Sequence, residues 1–509
     1  MVGIASKIPT RIRADSSTTT APEPDREVAI ALVSRLLDVE TMTLRDLIRV
    51  MAPSVIAASF FTPGCGDNTP ATTDRRRNVM VIDDGFDPSL PVFAGKVVAT
   101  YSTECQPGGT IGDGSDAGAT PDGGIGFDET KTALIATLAT ADDSCHLSAD
   151  LTPAANPFSD LEAQRAGFNA AIRGDVLVGN IFRSSPFDGT YAAVVQRLGE
   201  SSFHGTATSG VVATDDQAVR LVLVQVALLS AAEALEQFTC IAQADIDETV
   251  ALLSDGDVRA AYLQRPMATL DRDLVDARSR HGIGLVSESF GRSSRFLLES
   301  LQRDQQCPPV DLRAYFVTLA DLEAAYAQVH AEPGVLFVQA AGNDSSLVNG
   351  PADSLDCRLG DPAHLLVGSY GYGGAHSSFS NFGECVEVYA PGEDVIAPLP
   401  GDWLFPLSGT SFSTPLVARL LSLTAHIPFD PAAAHAALIA LREPNRNILA
   451  SHFPGALLYD PSRMAYQSAL TTGGAIASAP RQTEPLARPA LDRVLWPLRW
   501  TERRRSRGR

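Results

Sequence analysis

The sequence predicts an α/β protein with a doubly wound, mostly parallel sheet and helices on both faces. Three observations carry that expectation. Apolar runs at 79–82, 219–228 and 335–340, with GIGLVSES between the last two, have strand length and little polar alternation, as strands buried on both faces do. The stretches 241–281 and 319–330 repeat apolar residues at helical spacing, so strands and helices alternate along the chain. Carboxylate, glycine and amide residues follow several of the runs directly, at the strand ends where open α/β sheets gather functional groups.

The 509 residues are ample for one large domain with appendages, and a hydrophobic share of 45% is ordinary for a globular chain. A net charge of -20 argues against a nucleic-acid partner and predicts an acidic surface, despite the basic end TERRRSRGR. Residues 471–509 are expected to be a disordered Pro- and Arg-rich tail.

Taken in chain order, residues 1–65 come first. From Met42 the segment MTLRDLIRVMAPSVIAASFFTPGCGD runs from arginines through an apolar stretch to Gly64 and Cys65. It resembles a bacterial lipoprotein export signal, which implies a start near Met42, cleavage before Cys65, a lipid anchor there and an exported protein. Thr62 stands where that signal prefers leucine, and a helix of a pro-region is the competing reading. Residues 66–78 are expected to be a linker.

In VMVIDDGFD, residues 79–87, an apolar strand stops at Asp83, Asp84 and a glycine, so Asp83 is expected at a strand's carboxyl end; a solvated turn aspartate would look the same. Residues 106–126, QPGGTIGDGSDAGATPDGGIG, lack apolar periodicity and are expected to be an exposed flexible loop. Calcium ligation by Asp113, Asp116 and Asp122 is the alternative, although their spacing matches no EF-hand loop. In HGTATSGVVA, residues 204–213, small residues follow His204 and let other backbones approach its imidazole. The run 219–228 is too short to span a bilayer and fits a buried parallel strand.

LFVQAAGNDS, residues 336–345, ends in Gly342 and Asn343, whose amide can donate into a cleft, although glycine before asparagine is also a plain turn signal. GTSFSTP, residues 409–415, sets Ser411 between a tight glycine turn and a helix start, with Pro415 expected in the first helical turn. Unpaired N–H groups and the helix dipole stabilise an alkoxide there, and an ordinary Ser/Thr cap is the alternative. A nucleophilic serine needs a base, and the base needs a third group to hold its tautomer.

Together the four segments resemble the subtilisin-like serine proteases, in which aspartate, histidine and serine come in this chain order. ESFG at 288–291 is similar to that family's substrate-binding S-x-G strand, and SFSNFGECVEVYAPGEDV at 378–395 to the segment before its serine. The resemblance implies Ser411 as nucleophile, His204 as general base and then acid, and Asp83 as the residue orienting the imidazole. It implies an oxyanion hole of Asn343 and the Ser411 N–H. Ser289, Phe290 and Gly291, with Ala340, Ala341 and Gly342, would flank the substrate pocket. The partners implied are peptide or protein substrates, and no cofactor is required for the chemistry; structural calcium is allowed but has no specific motif.

The departures are specific. Ala207 stands where the family usually has a second histidine outside the triad, Asp84 where Thr or Ser is usual, and Phe412 and Ser413 where Met and Ala are commonest. A second carboxylate beside the triad is expected to shift the pH optimum. Asp83 and His204 are 121 positions apart, so the resemblance implies a catalytic domain over 79–470 with an insertion at about 102–200. The 82 residues before Asp83 leave little room for a full inhibitory pro-domain.

Without Cys65, six cysteines remain, at 105, 145, 240, 307, 357 and 385, compatible with three disulfides outside the cytosol or with free buried thiols inside it. The family resemblance favours Cys357 with Cys385. Three functions stand against one another: an exported serine endopeptidase, a catalytically weak or silent peptide-binding protein of the same fold, and a processing protease or transpeptidase.

Overall fold

A computed structural model describes residues 77–105, 127–140, 145–173, 188–198, 203–213, 219–226, 240–290, 295–329, 332, 334–371, 376–424, 430–440 and 456–457. The export segment with Cys65, nearly all of the linker, Asp113, Asp116, Asp122, Gly291 and the tail at 471–509 lie outside these residues.

β1 (Arg77–Asp83) runs through the middle of a nine-stranded sheet and pairs in parallel with β4 (Val219–Gln225) and β5 (Leu285–Glu288). Beyond β4 lie β2 (Val97–Cys105), also parallel, and β3 (Cys145–Ser148), the antiparallel edge. Beyond β5 the order is β6 (Leu336–Ala340), β7 (His364–Tyr370), β8 (Val386–Pro391) and β11 (Ala456–Leu457), all parallel. The chain winds from β1 to one edge and then to the other, so its direction of growth reverses at β1. Such a reversal opens a crevice at the strands' carboxyl ends, and Asp83 is there.

Both faces of the inner part of the sheet are covered, which is why β1, β4, β5 and β6 are largely apolar, while β2 and β3 toward the edge are partly exposed. Val79, Val81, Leu221 and Leu223 pack on one side with α4 (His204–Ala213), α10 (Thr410–Thr424) and α11 (Pro431–Ala440). Their neighbours Met80, Ile82, Val222 and Val224 pack on the other side with α1 (Phe127–Leu138), α5 (Gln243–Ser254), α6 (Gly256–Gln264), α7 (Thr269–His281) and α9 (Arg313–Val329). This alternation is the period of two that sends successive side chains to opposite faces. The region 241–281 is three helices, divided at 265–268 and at Asp255, whose carboxylate accepts from the N–H groups of Asp257 and Val258 and starts α6. α8 (Arg295–Asp304) packs against α9 in a smaller cluster through Leu298 and Leu301.

The stretch between β2 and α4 packs into the rest of the domain. Phe158, Phe168 and Ile172, with α2 (Glu162–Arg173), and Val194 of α3 (Asp188–Leu198) pack on a hairpin of β9 (Val395–Leu399) and β10 (Trp403–Leu407). Trp403 is fully buried between Phe158 and Phe168, with ring centroids 5.7 and 5.4 Å away. The same cluster holds Ala207 and Val211 of α4 and Phe412 and Leu416 of α10, so the added helices brace the two helices that carry His204 and Ser411.

Three disulfides join Cys105 to Cys145, Cys240 to Cys307, and Cys357 to Cys385. The third is the pair the family resemblance favours. The first links residues directly opposite one another in the β2–β3 ladder. Among the described residues no helix is long and apolar enough to cross a membrane.

Candidate active site

Asp83 ends β1 and is fully buried. A carboxylate is tolerated there only when its lone pairs are used. Oδ1 takes the His204 Nδ1 bond at 2.7 Å and the Asp84 N–H at 2.8 Å, and Oδ2 accepts the Thr208 hydroxyl at 2.8 Å. Thr208 reaches the same carboxylate as His204 because it lies one helical turn further along α4. The start of α4 is stitched to the turn after β1: the N–H of Gly205 donates to Asp84 O at 2.5 Å and that of Thr206 to Gly85 O at 3.1 Å. Those N–H groups have no partner within the helix, so the turn satisfies them and sets the helix at a fixed height above Asp83.

The His204 imidazole is mostly buried, with the Phe412 ring 5.8 Å away. Burial works against its charged form. The charge of Asp83, the hydrogen bond to Asp83 and the charge of Asp84 outweigh that penalty, and the pKa is raised above the ordinary histidine value. With Nδ1 held by Asp83, Nε2 is the ring nitrogen left to face a reacting group. One ligand atom each from Asp83, Asp84 and His204 lie within 4.8 Å of one another, a spacing that the Asp83–His204 bond and the adjacency of the two aspartates account for.

Ser411 is buried in the first turn of α10, which begins at Thr410. The helix thus starts earlier than the position of Pro415 suggests, and the proline falls inside it, where it lacks the N–H that would bond the Ser411 carbonyl. The Ser411 hydroxyl donates to the Ser289 carbonyl at 2.7 Å. That carbonyl follows directly on β5, so the S-x-G segment leaves the strand at Ser289; Phe290 packs toward the core on the far face of the sheet.

Asn343 follows the end of β6 by three residues and caps α10 from outside. Its Oδ1 accepts the Thr410 N–H at 2.9 Å and the Thr410 hydroxyl at 3.1 Å, which turns the Nδ2 amide away from Thr410. A Cβ placed on Gly409 would lie 3.6 Å from Asn343 Nδ2 and 3.7 Å from the Ser411 nitrogen. Two N–H donors therefore border one small space, which glycine leaves open. Ala340 and Ala341 are buried beside it, and the Gly342 N–H donates to the Thr410 hydroxyl at 3.2 Å.

The structure thus gathers Asp83, His204, Ser411, Asn343, Ser289 and Ala340–Gly342 at the carboxyl ends of β1, β5 and β6. Sequence reasoning missed Thr208 and Thr410. Thr208 was findable from its i, i+4 spacing to His204 on a helix. Thr410 carried no signal of its bonds to Asn343, and Ser289, expected beside the substrate pocket, carried none of its carbonyl's bond to the Ser411 hydroxyl.

The model of the subtilase family, Peptidase_S8, matches residues 77–439. Subtilisin-like protease 4 of Trichophyton tonsurans is 34% identical over 131 residues, 25% of this chain and 31% of that protein. The Trichophyton rubrum protein of the same name is 40% identical over 89 residues, 17% of this chain and 21% of its own. The chain thus spans less than a third of the length of these curated relatives. Among solved structures, a cold adapted subtilisin-like serine proteinase aligns with a TM-score of 0.37 and 17% identity over 81% of this chain and 96% of its own. The prenylagaramide maturation protease PagA aligns with a TM-score of 0.33 and 16% identity over 79% and 96%. The family match begins at the first residue of β1 and runs into α11, taking in every strand and helix that carries the site, and the chain belongs to the subtilase family.

Proposed function

We propose that this chain is a serine endopeptidase that cleaves peptide bonds through an acyl-enzyme. The observation that carries the proposal is the buried Asp83–His204 pair beside a serine helix whose Ser411 N–H shares one open space with the Asn343 amide. The Ser411 oxygen attacks the scissile carbonyl while its proton passes to His204 Nε2. The developing oxyanion takes hydrogen bonds from Asn343 Nδ2 and the Ser411 N–H. His204 then gives its proton to the leaving amine as the C–N bond breaks, and water, deprotonated by the same nitrogen, releases the acyl group. Asp83 holds the tautomer and stabilises the imidazolium.

Before attack the Ser411 hydroxyl has to leave the Ser289 carbonyl. Exchanging one neutral hydrogen bond costs about 1 kcal/mol, so that contact slows but does not prevent reaction. Ser289, with Ala340, Ala341 and Gly342, borders the pocket for the substrate, while Phe290 packs away from it on the other face of the sheet. The three disulfides favour an oxidising compartment, and with the apolar segment before Cys65 they support export with a lipid anchor at that cysteine.

Labelling with a fluorophosphonate probe tests the chemistry. Covalent mass should appear on the peptide containing Ser411 and vanish in Ser411→Ala and His204→Ala. Folded protein that takes no label overturns the proposal in favour of a silent peptide-binding protein. Release of a peptide bonded to an added amine would instead favour a transpeptidase.

A further inference from the structure

The loop that carries Asn343 is conformationally demanding. Gly342 has φ +97 and Ser345 φ +56, both in the left-handed region, and the second is not a glycine. Such a loop keeps its shape only if its surroundings over-determine it. The bonds from Thr410 reach Asn343 itself and the Gly342 N–H, and leave the far side of the loop unheld.

That far side is bound by the segment 378–382, and chiefly by one side chain. Asn381 is 2% exposed. Its Nδ2 donates to the Ala341 carbonyl at 2.9 Å and to Asp344 Oδ2 at 3.2 Å, and its Oδ1 accepts the N–H groups of Asp344 and Ser346, each at 3.0 Å. Its backbone N–H donates to the Gly342 carbonyl at 2.9 Å. These five contacts touch the loop on both sides of Asn343 and none touches Asn343. The fit is close, since a Cβ on Gly342 would lie 2.5 Å from Asn381 Nδ2.

We infer that Asn381 is a positioning residue for the oxyanion hole: its side chain substitutes for the secondary structure that the 341–346 loop lacks and holds the Asn343 amide where the transition state needs it. The inference rests on the proposed role of Asn343. Asn381 touches neither His204 nor Ser411 in any described contact, so its effect on chemistry runs through the loop. An error of about 1 Å in a donor's place costs about 10²-fold in rate.

Two measurements on the full chain test this. Hydrogen exchange read by mass spectrometry should show Asn381→Ala losing protection at the amides of Asp344 and Ser346 while β1, β5 and α4 keep theirs. Steady-state kinetics should show kcat falling about 10- to 100-fold with KM within about twofold. The same substitution in an Asn343→Ala background should cost little more, because the group it positions is already gone. If Asn381→Ala does not fold, N381D serves instead, since it keeps both acceptor bonds and sets two carboxylates against each other. Adding D344N to it restores a donor–acceptor pair between 381 and 344 with the roles exchanged, and kcat should recover in part, the bond to the Ala341 carbonyl remaining lost. Unchanged exchange at 344 and 346, or losses that simply add in the double variant, would overturn the inference. If the unaltered chain turns over no peptide, the proposed hydrolase fails, and the exchange measurement by itself decides whether Asn381 holds the loop.

Discussion

Asp83 and His204 are joined by bonds between just two pieces of chain, β1 with the turn after it and the first two turns of α4, whereas Ser411 and Asn343 depend on three further segments. In the first half of the site the carboxylate is saturated by His204, Thr208 and the Asp84 N–H, and the helix that carries the base is tied to the same turn. In the second half the Ser411 hydroxyl is engaged by the Ser289 carbonyl, and Asn343 is held between Thr410 and a loop gripped by Asn381. On the roles proposed for them, the base is thus assembled in advance, while the nucleophile has to exchange a partner and its oxyanion donor relies on supports from other segments. Damage to the first half should act on proton transfer, and damage to the second on transition-state charge.

The sharpest test of that division is Ser411→Ala, which removes the nucleophile; kcat should fall about 10⁶-fold, measured on a chromogenic peptide. Asp83→Asn keeps the shape but offers an amide to His204 Nδ1 and favours the wrong tautomer. Its kcat should fall about 10⁴-fold, and a loss below tenfold would break the claim that the base half is set by this carboxylate. Asn343→Ala removes one donor from the other half, and kcat should fall about 10²- to 10³-fold with KM little changed.

The smallest effect concerns pH. His204 has to be neutral to accept the serine proton, and its pKa is raised despite burial because Asp83 and then Asp84 favour the imidazolium. The acid limb of activity should therefore lie at higher pH than an unperturbed histidine would place it. Removing one of the two charges in Asp84→Asn should move the acid limb of kcat/KM to lower pH and leave the plateau unchanged. A limb that stays in place would show that Asp84 is screened from the base.

Much of the first half was legible in the sequence. VMVIDDGFD marks a strand's end and HGTATSGVVA a histidine followed by small residues, although their meeting, across 121 positions, is itself a product of the fold. The serine was legible too, although Pro415 pointed to a later helix start than Thr410. The stretch between Asp83 and His204 was legible as extra length and not as structure. Phe158, Phe168 and Val194 carry no periodicity that announces a shared core with Trp403, more than 200 positions away.

What the sequence by itself determined is the main strands and helices around the site and the order of the reactive groups, because strand burial, helix periodicity and strand-end chemistry are local properties written into consecutive residues. Only the tertiary structure decided how those groups are held: the Ser411 hydroxyl on the Ser289 carbonyl, Asn343 capping a helix it does not belong to, and Asn381 gripping the loop beneath it. Each is a hydrogen bond between segments that meet only after the sheet has formed. Which of the many available donors and acceptors become partners is fixed by packing and by the demand that buried polar groups be satisfied, and neither is a property of any stretch of sequence alone.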